Sequence, residues 1–393
     1  MIKLSYRAKH RNVRSSHAKV TKNRAITIFD SPEEGKRGWS ELGLRIRKPN
    51  KSRGNESQAS YDGHFMFVAD EVILSIFQKM PKPDTCKMCK SVQAVEAYSC
   101  HLYDESLWRR LDFGGRILKG GVLGNTILDR GVEFLRLASA EIGDFTLGKK
   151  CFTQFHKLQY LDLTMASISQ NALSQLLSRC KQLRKLSIEN LAINDDICRL
   201  IAQNVFLTTL NCAMVSGLTC KGLEKIFNSC PLLDELNIGW IKLSHSDVGL
   251  VISKLPPNLI RLNFSGCREF MDDHNLDRLV SCCNQLRELD VSDSLGLTEQ
   301  SVYSIVRELK YLNTLHLSRC YYISPSSYSV LRELPHFKAL SVYSMLPEEH
   351  LSKIRRNLIS ASVNSELFST ISRPTVGMFR TSIWGHRVRD FAV

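Results

Sequence analysis

One pattern recurs through most of this chain and limits what it can fold into. An apolar residue is followed three positions on by a second, and two positions later by a third. The copies are Leu158/Leu161/Leu163, Leu183/Leu186/Ile188, Leu207/Leu210/Cys212, Leu233/Leu236/Ile238, Leu259/Leu262/Phe264, Leu286/Leu289/Val291 and Leu312/Leu315/Leu317. Their first positions step by 25, 24, 26, 26, 27 and 26 residues. A weaker copy follows at Phe337/Leu340/Val342. Two weaker copies precede, at Val132/Leu135/Leu137 and Trp108/Leu111/Phe113, and a short last one lies at Leu358/Ala361/Val363. Chance does not give so even a spacing, and a period of this length means stacked coils.

Each triplet has the strand signature of a leucine-rich repeat. Between triplets stand ALSQLLSRC (172–180), GLEKIFNSC (222–230), NLDRLVSCC (275–283) and SVYSIVREL (301–309). Their apolar residues fall three and four apart, the spacing of one helix face. A single strand–helix unit cannot cover its own apolar face, so stability sums over stacked neighbours. The expected fold is an α/β repeat solenoid, an arc of about ten repeats over residues 108–363, with strands inside and helices outside. The concave surface of such an arc suits a protein partner. Residues 364–393 are expected to begin as its cap.

Charge separates the arm from the arc. Residues 1–60 hold 15 Lys+Arg and 5 Asp+Glu, or +10 of the chain's +14. The rest is near balance, so overall basicity argues for no nucleic-acid groove in the arc. The polar, poorly periodic segment 1–64 is expected to be a largely disordered basic arm. Arg45, Arg47, Lys48, Lys51 and Arg53 suit either nuclear import or a solvated tail. Met1–Phe29 has no acidic residue, as in a mitochondrial transit peptide, but lacks a clear apolar face. Ser31-Pro32 is a weak phosphorylation signal. No apolar run approaches the roughly 20 residues of a membrane helix, and Met1–Val20 has no apolar core of a secretory signal.

The 13 Cys are odd in number and scattered. Cys180, Cys230 and Cys283 each precede a strand's first Leu by three residues, a packing position where a thiol acts as a small hydrophobe. Cys267 and Cys320 each fall eight residues after a first Leu, where this repeat class takes Asn or Cys. Both sets suit reduced structural thiols, hence nucleus or cytoplasm. Cys86-x-x-Cys89 with Cys100-His101 has the residue types of zinc ligands. The adjacent last pair does not easily turn two side chains to one tetrahedral centre, so helix packing is preferred, and neither metal nor cofactor is expected.

Residues 66–107 differ from the repeats. Val72, Ile73, Ile76 and Phe77 are placed on one helical face, Pro81 and Pro83 break the chain, and a second helical stretch passes Val92, Val95 and Tyr98. Short helices with exposed apolar residues before a repeat array suggest a docking module. The stretch Asp70-Glu71-Val-Ile-Leu-Ser-Ile76-Phe77, then Pro83-Asp84, then Asp104-Glu105-Ser106-Leu107-Trp108 resembles an F-box, a small all-α module. With the repeats, the tail Ile371-Ser-Arg373-Pro374-Thr375-Val-Gly377 and Ile383-Trp384-Gly385, the chain resembles the F-box and leucine-rich-repeat proteins of the S-phase kinase-associated family. Leu317-Ser-Arg319-Cys320-Tyr321 and Asp290-Val-Ser-Asp293-Ser294 are further marks. The second half of the F-box is about three residues longer than the family's pattern, and Ala94-Val95-Glu96-Ala97-Tyr98 replaces its Val-Cys-Lys-Arg-Trp.

The resemblance implies a substrate-recognition subunit of a Skp–cullin–F-box ubiquitin ligase. Val72, Ile73, Ile76, Phe77, Pro83 and Tyr98 would bind the Skp adaptor, which carries cullin and a RING subunit. The tail would run back along the concave face. It implies a phosphorylated cell-cycle regulator, such as an inhibitor of a cyclin-dependent kinase, as substrate for ubiquitination and proteasomal degradation, with a Cks-type accessory subunit.

The repeat register also points to a rim. Position eight, counted from each first Leu, holds Trp240, Asp293 and Arg319. Neighbouring strands lie about 4.8 Å apart, so these residues share one edge of the arc. An exposed Trp beside an acid and a guanidinium has the composition of a hot spot. Equally, Asp293 and Arg319 can simply pair while Trp240 packs on the strand edge. The resemblance favours binding, and adds Arg373, Pro374 and Trp384 of the tail. No GxSxG, HExxH or P-loop is present, so a non-catalytic receptor acting by proximity is expected. The alternative is a leucine-rich-repeat scaffold with no role in ubiquitin transfer.

Overall fold

The computed structural model describes residues 70–80, 104–119, 123, 131–144, 157–375 and 381–388. The basic arm, Pro83, Tyr98, the Cys86/Cys89/Cys100/His101 group and the side chain of Ile73 lie outside the described residues. What is described is the expected solenoid. Eleven short strands form one sheet, all parallel and all in chain order. They are β1 (Arg110–Asp112), β2 (Phe134–Arg136), β3 (Tyr160–Asp162), β4 (Lys185–Ser187), β5 (Thr209–Asn211), β6 (Glu235–Asn237), β7 (Arg261–Asn263), β8 (Glu288–Asp290), β9 (Thr314–His316), β10 (Ala339–Ser341) and β11 (Ser362–Val363).

The register explains why the triplets are leucines. Leu186 pairs with Leu210, Leu210 with Leu236 and Leu236 with Leu262, so each middle Leu stacks on its counterparts. Leu233, Leu236 and Ile238 are 0% exposed, as are the equivalent residues of the flanking coils. Each buried side chain of this size stabilises by about 1.5–3 kcal/mol.

Behind the strands lie α2 (Gln170–Arg179), α3 (Asp195–Ile201), α4 (Cys220–Ser229), α5 (His245–Lys254), α6 (Asp273–Cys282), α7 (Glu299–Glu308) and α8 (Glu348–Asn357); α1 (Asp70–Lys79) precedes the arc. Ser169, Asn194, Thr219, Ser244, Asp272 and Thr298 cap α2 to α7, each accepting a backbone N–H of the first turn. Between α7 and α8 the chain forms a 3-10 helix, Pro325–Glu333, in place of an α-helix. Its Ser327 and Ser329 hydroxyls donate to the carbonyls of Ser324 and Ser326. Such local bonding competes with regular helix.

Two devices repeat at the exit of each strand. The fifth position is often Asx, and its side chain accepts the N–H two residues on: Asp112 from Gly114, Asp162 from Thr164, Asn211 from Ala213, Asn237 from Gly239, Asn263 from Ser265, Asp290 from Ser292. Position eight then turns left-handed, with φ of 54° at Met165, 61° at Asn190, 56° at Met214, 60° at Trp240, 82° at Gly266, 57° at Asp293 and 58° at Arg319. That conformation costs an ordinary L residue about 1–2 kcal/mol. At this position Met165, Met214 and Trp240 are exposed on the rim, while Asp293 is buried.

The first helix divides its apolar residues between the arc and solvent. Phe77 is 5% exposed and belongs to the arc's own core, with Leu74 and Met80 packed beside it. Val72 and Ile76 are 50% and 38% exposed. The face is therefore split: positions four apart, 72 and 76, look outward, while Phe77 seals the helix to the first coil. Gln78 Nε2 donates to Ser106 Oγ at 3.0 Å across the same junction. Phe77 thus packs within this chain.

The cysteines lie where packing placed them. Cys180, Cys230, Cys267, Cys283 and Cys320 are free and buried. Burial pushes the Cys267 and Cys320 thiols up to about 12, which keeps them protonated at neutral pH. Among the described residues, no helix is long and apolar enough to cross a membrane, and no cluster of His, Cys, Asp or Glu could hold a metal ion.

Candidate functional site

Position eight builds the rim. Asp293 and Arg319 follow adjacent strands, β8 and β9, whose register sets Asp290 beside His316. The two form a forked pair. Arg319 Nε donates to Asp293 Oδ1 at 2.6 Å, and a second guanidinium nitrogen meets Oδ2. The Asp293 side chain is 9% exposed and that of Arg319 is 43% exposed. Bidentate geometry fixes the guanidinium plane. Its hydrogen bond to Asp293 also holds the Arg319 pKa above the ordinary guanidinium value. The pairing that the sequence allowed is present, and the outward part of Arg319 still meets solvent.

Trp240 is 40% exposed. It lies over Gly266, where an added Cβ would come within 2.6 Å of the indole. Arg268 covers the ring, its Cζ 5.6 Å from the centroid, a cation–π distance. Sequence reasoning misses Arg268, although a basic residue right after Cys267 beside a rim Trp is a usable signal. Gly266→Ala should meet two obstacles at once: a φ of 82° and the indole. It should cost about 1–2 kcal/mol from the backbone alone. Chemical denaturation would measure that loss, and Trp240 should become more accessible to acrylamide. An unchanged midpoint would refute both obstacles.

The tail forms the second group. After β11 it runs back across the strands. Ser341 Oγ of β10 donates to the Glu366 carbonyl at 3.4 Å, Arg261 Nη2 of β7 to Thr370 Oγ1 at 3.0 Å, and Asn237 Nδ2 of β6 to the Ile371 carbonyl at 3.2 Å. Arg373 then lies 3.9 Å from Glu189. Trp384 N–H donates to the Pro374 carbonyl at 2.6 Å, and its indole Nε1 to the Ser372 carbonyl at 3.2 Å. The indole centroid is 6.5 Å from Tyr160, which stacks on Phe134 at 4.4 Å; the His386 ring lies against both. Arg373, Pro374 and Trp384 are thus brought together over β3 to β7, a group distinct in its contacts from the rim pair.

Beneath the tail the strands carry charge. Burial acts to lower His316, but its hydrogen bond with Glu288 and the fields of Asp290, Glu288 and Glu366 prevail and raise its pKa. Burial acts to raise Glu288, yet His316 and Arg261 hold it below the ordinary carboxylate value. Burial dominates at Asp290 and raises it. Burial, then the charges of Lys185 and Arg110, lower His386. Between tail and strands lies a cavity of about 410 Å³, lined in part by Lys185, Glu235, Arg261, Arg373 and Trp384.

Comparison with known proteins fits this architecture. The family described as "SKP2 LRR domain" matches residues 121–391. Among curated proteins, the chain is 28% identical over 135 residues to F-box/LRR-repeat protein 4 of Bos taurus, covering 33% of this chain and 22% of that protein. It is 32% identical over 130 residues to the SCF E3 ubiquitin ligase complex F-box protein pof2 of Schizosaccharomyces pombe, covering 27% of each. The chain therefore spans about a quarter of the length of these relatives. Among solved structures, the yeast Rad7 and Elc1 complex gives a TM-score of 0.48 at 13% identity, covering 78% of this chain and 92% of that one. The leucine-rich repeat-containing protein LegL7 of Legionella pneumophila gives 0.38 at 14% identity, covering 58% and 82%.

Proposed function

We propose, given that this chain belongs to the SKP2 LRR domain family, that it is a substrate-recognition subunit of a Skp–cullin–F-box ubiquitin ligase. The observation that carries this reading is α1: sealed to the first coil through Phe77, it keeps Val72 and Ile76 outward with no cover from the described residues. A small helical module that spends one apolar face on its own chain and offers another is built to be gripped. The relatives support the same role, since the fission-yeast protein is itself an F-box protein of such a complex.

The finer assignment follows the likeness to S-phase kinase-associated protein 2. The rim of Trp240, Asp293 and Arg319 would take a Cks-type subunit. The tail at Arg373, Pro374 and Trp384 would contact a phosphorylated cell-cycle regulator, in the nucleus and cytoplasm. The chain would act by holding a target lysine near a charged conjugating enzyme, which raises effective concentration. A copurification experiment tests both halves. Val72→Asp with Ile76→Asp should abolish retention of a Skp adaptor while leaving a Cks-type subunit bound; Arg319→Ala should do the reverse. Adaptor retention equal to the unaltered chain would overturn the ligase reading in favour of a plain repeat scaffold.

A further inference from the structure

The cavity under the tail has donors that the protein itself does not use. Three cations line it, with Glu235 as the acid among the lining residues. Arg261 is satisfied: Glu288 lies 2.7 Å from its Nε and Glu235 lies 3.3 Å from Nη1. Lys185 is different. Among the described residues it has no side-chain hydrogen bond or ion pair, although it lines the cavity from β4 and its charge reaches the Asp234 carboxylate. Arg373 reaches Glu189 only at 3.9 Å, and its Nε–H is buried without an acceptor. A buried N–H left unpaired costs about 1–3 kcal/mol, so such a group marks a place where an acceptor belongs.

The walls fit a short polar guest. Thr370 and Ser382 bring hydroxyls, and Pro374 and Trp384 complete the lining. Thr370 already accepts from Arg261, which holds that guanidinium and leaves Lys185 and the Arg373 Nε–H as the donors without an acceptor among the described residues. An ammonium and a guanidinium N–H lining one half-open cleft favour an anion with several acceptor oxygens. Burial first, then the charges of Lys185 and Arg110, disfavour a proton on the nearby His386 against the pull of Glu133.

We infer that this cavity binds a single oxyanion, a carboxylate or phosphate on the side chain of an extended peptide, held by Lys185 and Arg373 beneath Trp384. The site itself stands on its own geometry; that the peptide belongs to a ligase target rests on the proposed function. The donors lie off the position-eight rim, so this subsite is separate from the Trp240, Asp293 and Arg319 group. It would make the tail a specificity element that reads one acidic residue of a bound segment.

The full chain should be titrated at fixed ionic strength against three fluorescent, C-terminally amidated pentapeptides, with glutamate, phosphoserine or serine at the centre of otherwise identical glycines. Fluorescence anisotropy should show saturable binding of the first two and none of the third. Lys185→Ala should weaken the acidic peptides on the order of tenfold, equivalent to about 1.4 kcal/mol. Lys185→Arg should restore most of the affinity. Lys185 makes no described bond to the tail, so its loss leaves the strap in place, which the Trp384 emission will verify. Equal binding of the serine peptide, or an unchanged affinity in Lys185→Ala, would overturn the site. Full displacement by an equal concentration of inorganic phosphate would overturn the peptide as bearer. Because no adaptor is present, failure here is distinguishable from failure of the ligase reading.

Discussion

Leu236→Ala should lower the unfolding free energy by about 2–5 kcal/mol, the range for emptying a fully buried leucine site. Leu236 is the middle Leu of β6, 0% exposed, and stacks between Leu210 and Leu262 in the registered strands. No water can reach the space it leaves. Its neighbours are held at the fixed spacing of paired strands, so they cannot close on the gap. Urea denaturation followed by circular dichroism measures the shift. A loss below about 1 kcal/mol would mean that the coil relaxes, which contradicts a rigid stack.

The second large effect should come from Arg136. It stands on β2 between Asp112 of β1 and Asp162 of β3, with side-chain exposures of 9%, 2% and 1%. Nη1 donates to Asp112 at 2.9 Å, and Nε lies 3.7 Å from Asp162. Arg136→Met would remove the cation that stands between the buried carboxylates of Asp112 and Asp162 on the flanking strands. Removing one partner of a buried charge group costs about 3–5 kcal/mol. The deficit should shrink on acidification. Burial already raises the Asp162 pKa against its bonds with Thr164 and the pull of Arg136. Without Arg136 that folded-state pKa rises further above its unfolded value, so the folded chain binds the extra proton. Stability of the variant is therefore regained as pH falls through that folded pKa and lost as pH rises through it. Thermal melts from pH 7 down to pH 5 would show it, and adding Asp162→Asn should recover part of the loss at pH 7. A deficit independent of pH would show that packing, not charge, is what Arg136 supplies.

The arc was legible because its causes are local and periodic. A triplet of buried side chains every 24 to 27 residues and helices with apolar spacing of three and four leave few other solutions. The spacing also put Asp293 and Arg319 on adjacent strands. It could not say whether they pair or bind, since both outcomes use the same two residues. The left-handed turn at position eight left no compositional mark, because Trp, Asp, Arg and Met occupy it as well as Gly266. At α1 the difficulty was an excess of signal. With Val72, Ile73, Leu74, Ile76 and Phe77 all apolar, periodicity cannot choose which side is sealed. The 3-10 segment 325–333 turned on serine hydroxyls folding onto their own backbone. The tail's return across the strands was expected only through the resemblance of its motifs, because the bonds that fix the route use the Ile371 and Ser372 carbonyls, groups every residue carries. Lys185 and Arg261 escaped notice for the same reason: exposed charges on strands are ordinary until a distant segment encloses them.

Stacked coils that touch only their immediate neighbours are expected to fray from either terminus, a few units at a time. Here the last coil is sewn to the early ones, with Trp384 against Tyr160 and Asn237 holding Ile371 across 134 residues of chain. Contacts so remote in sequence slow the search for the native state. They also make the first coils sense the loss of the last, so the whole spring should melt as one body and keep its curvature until it does.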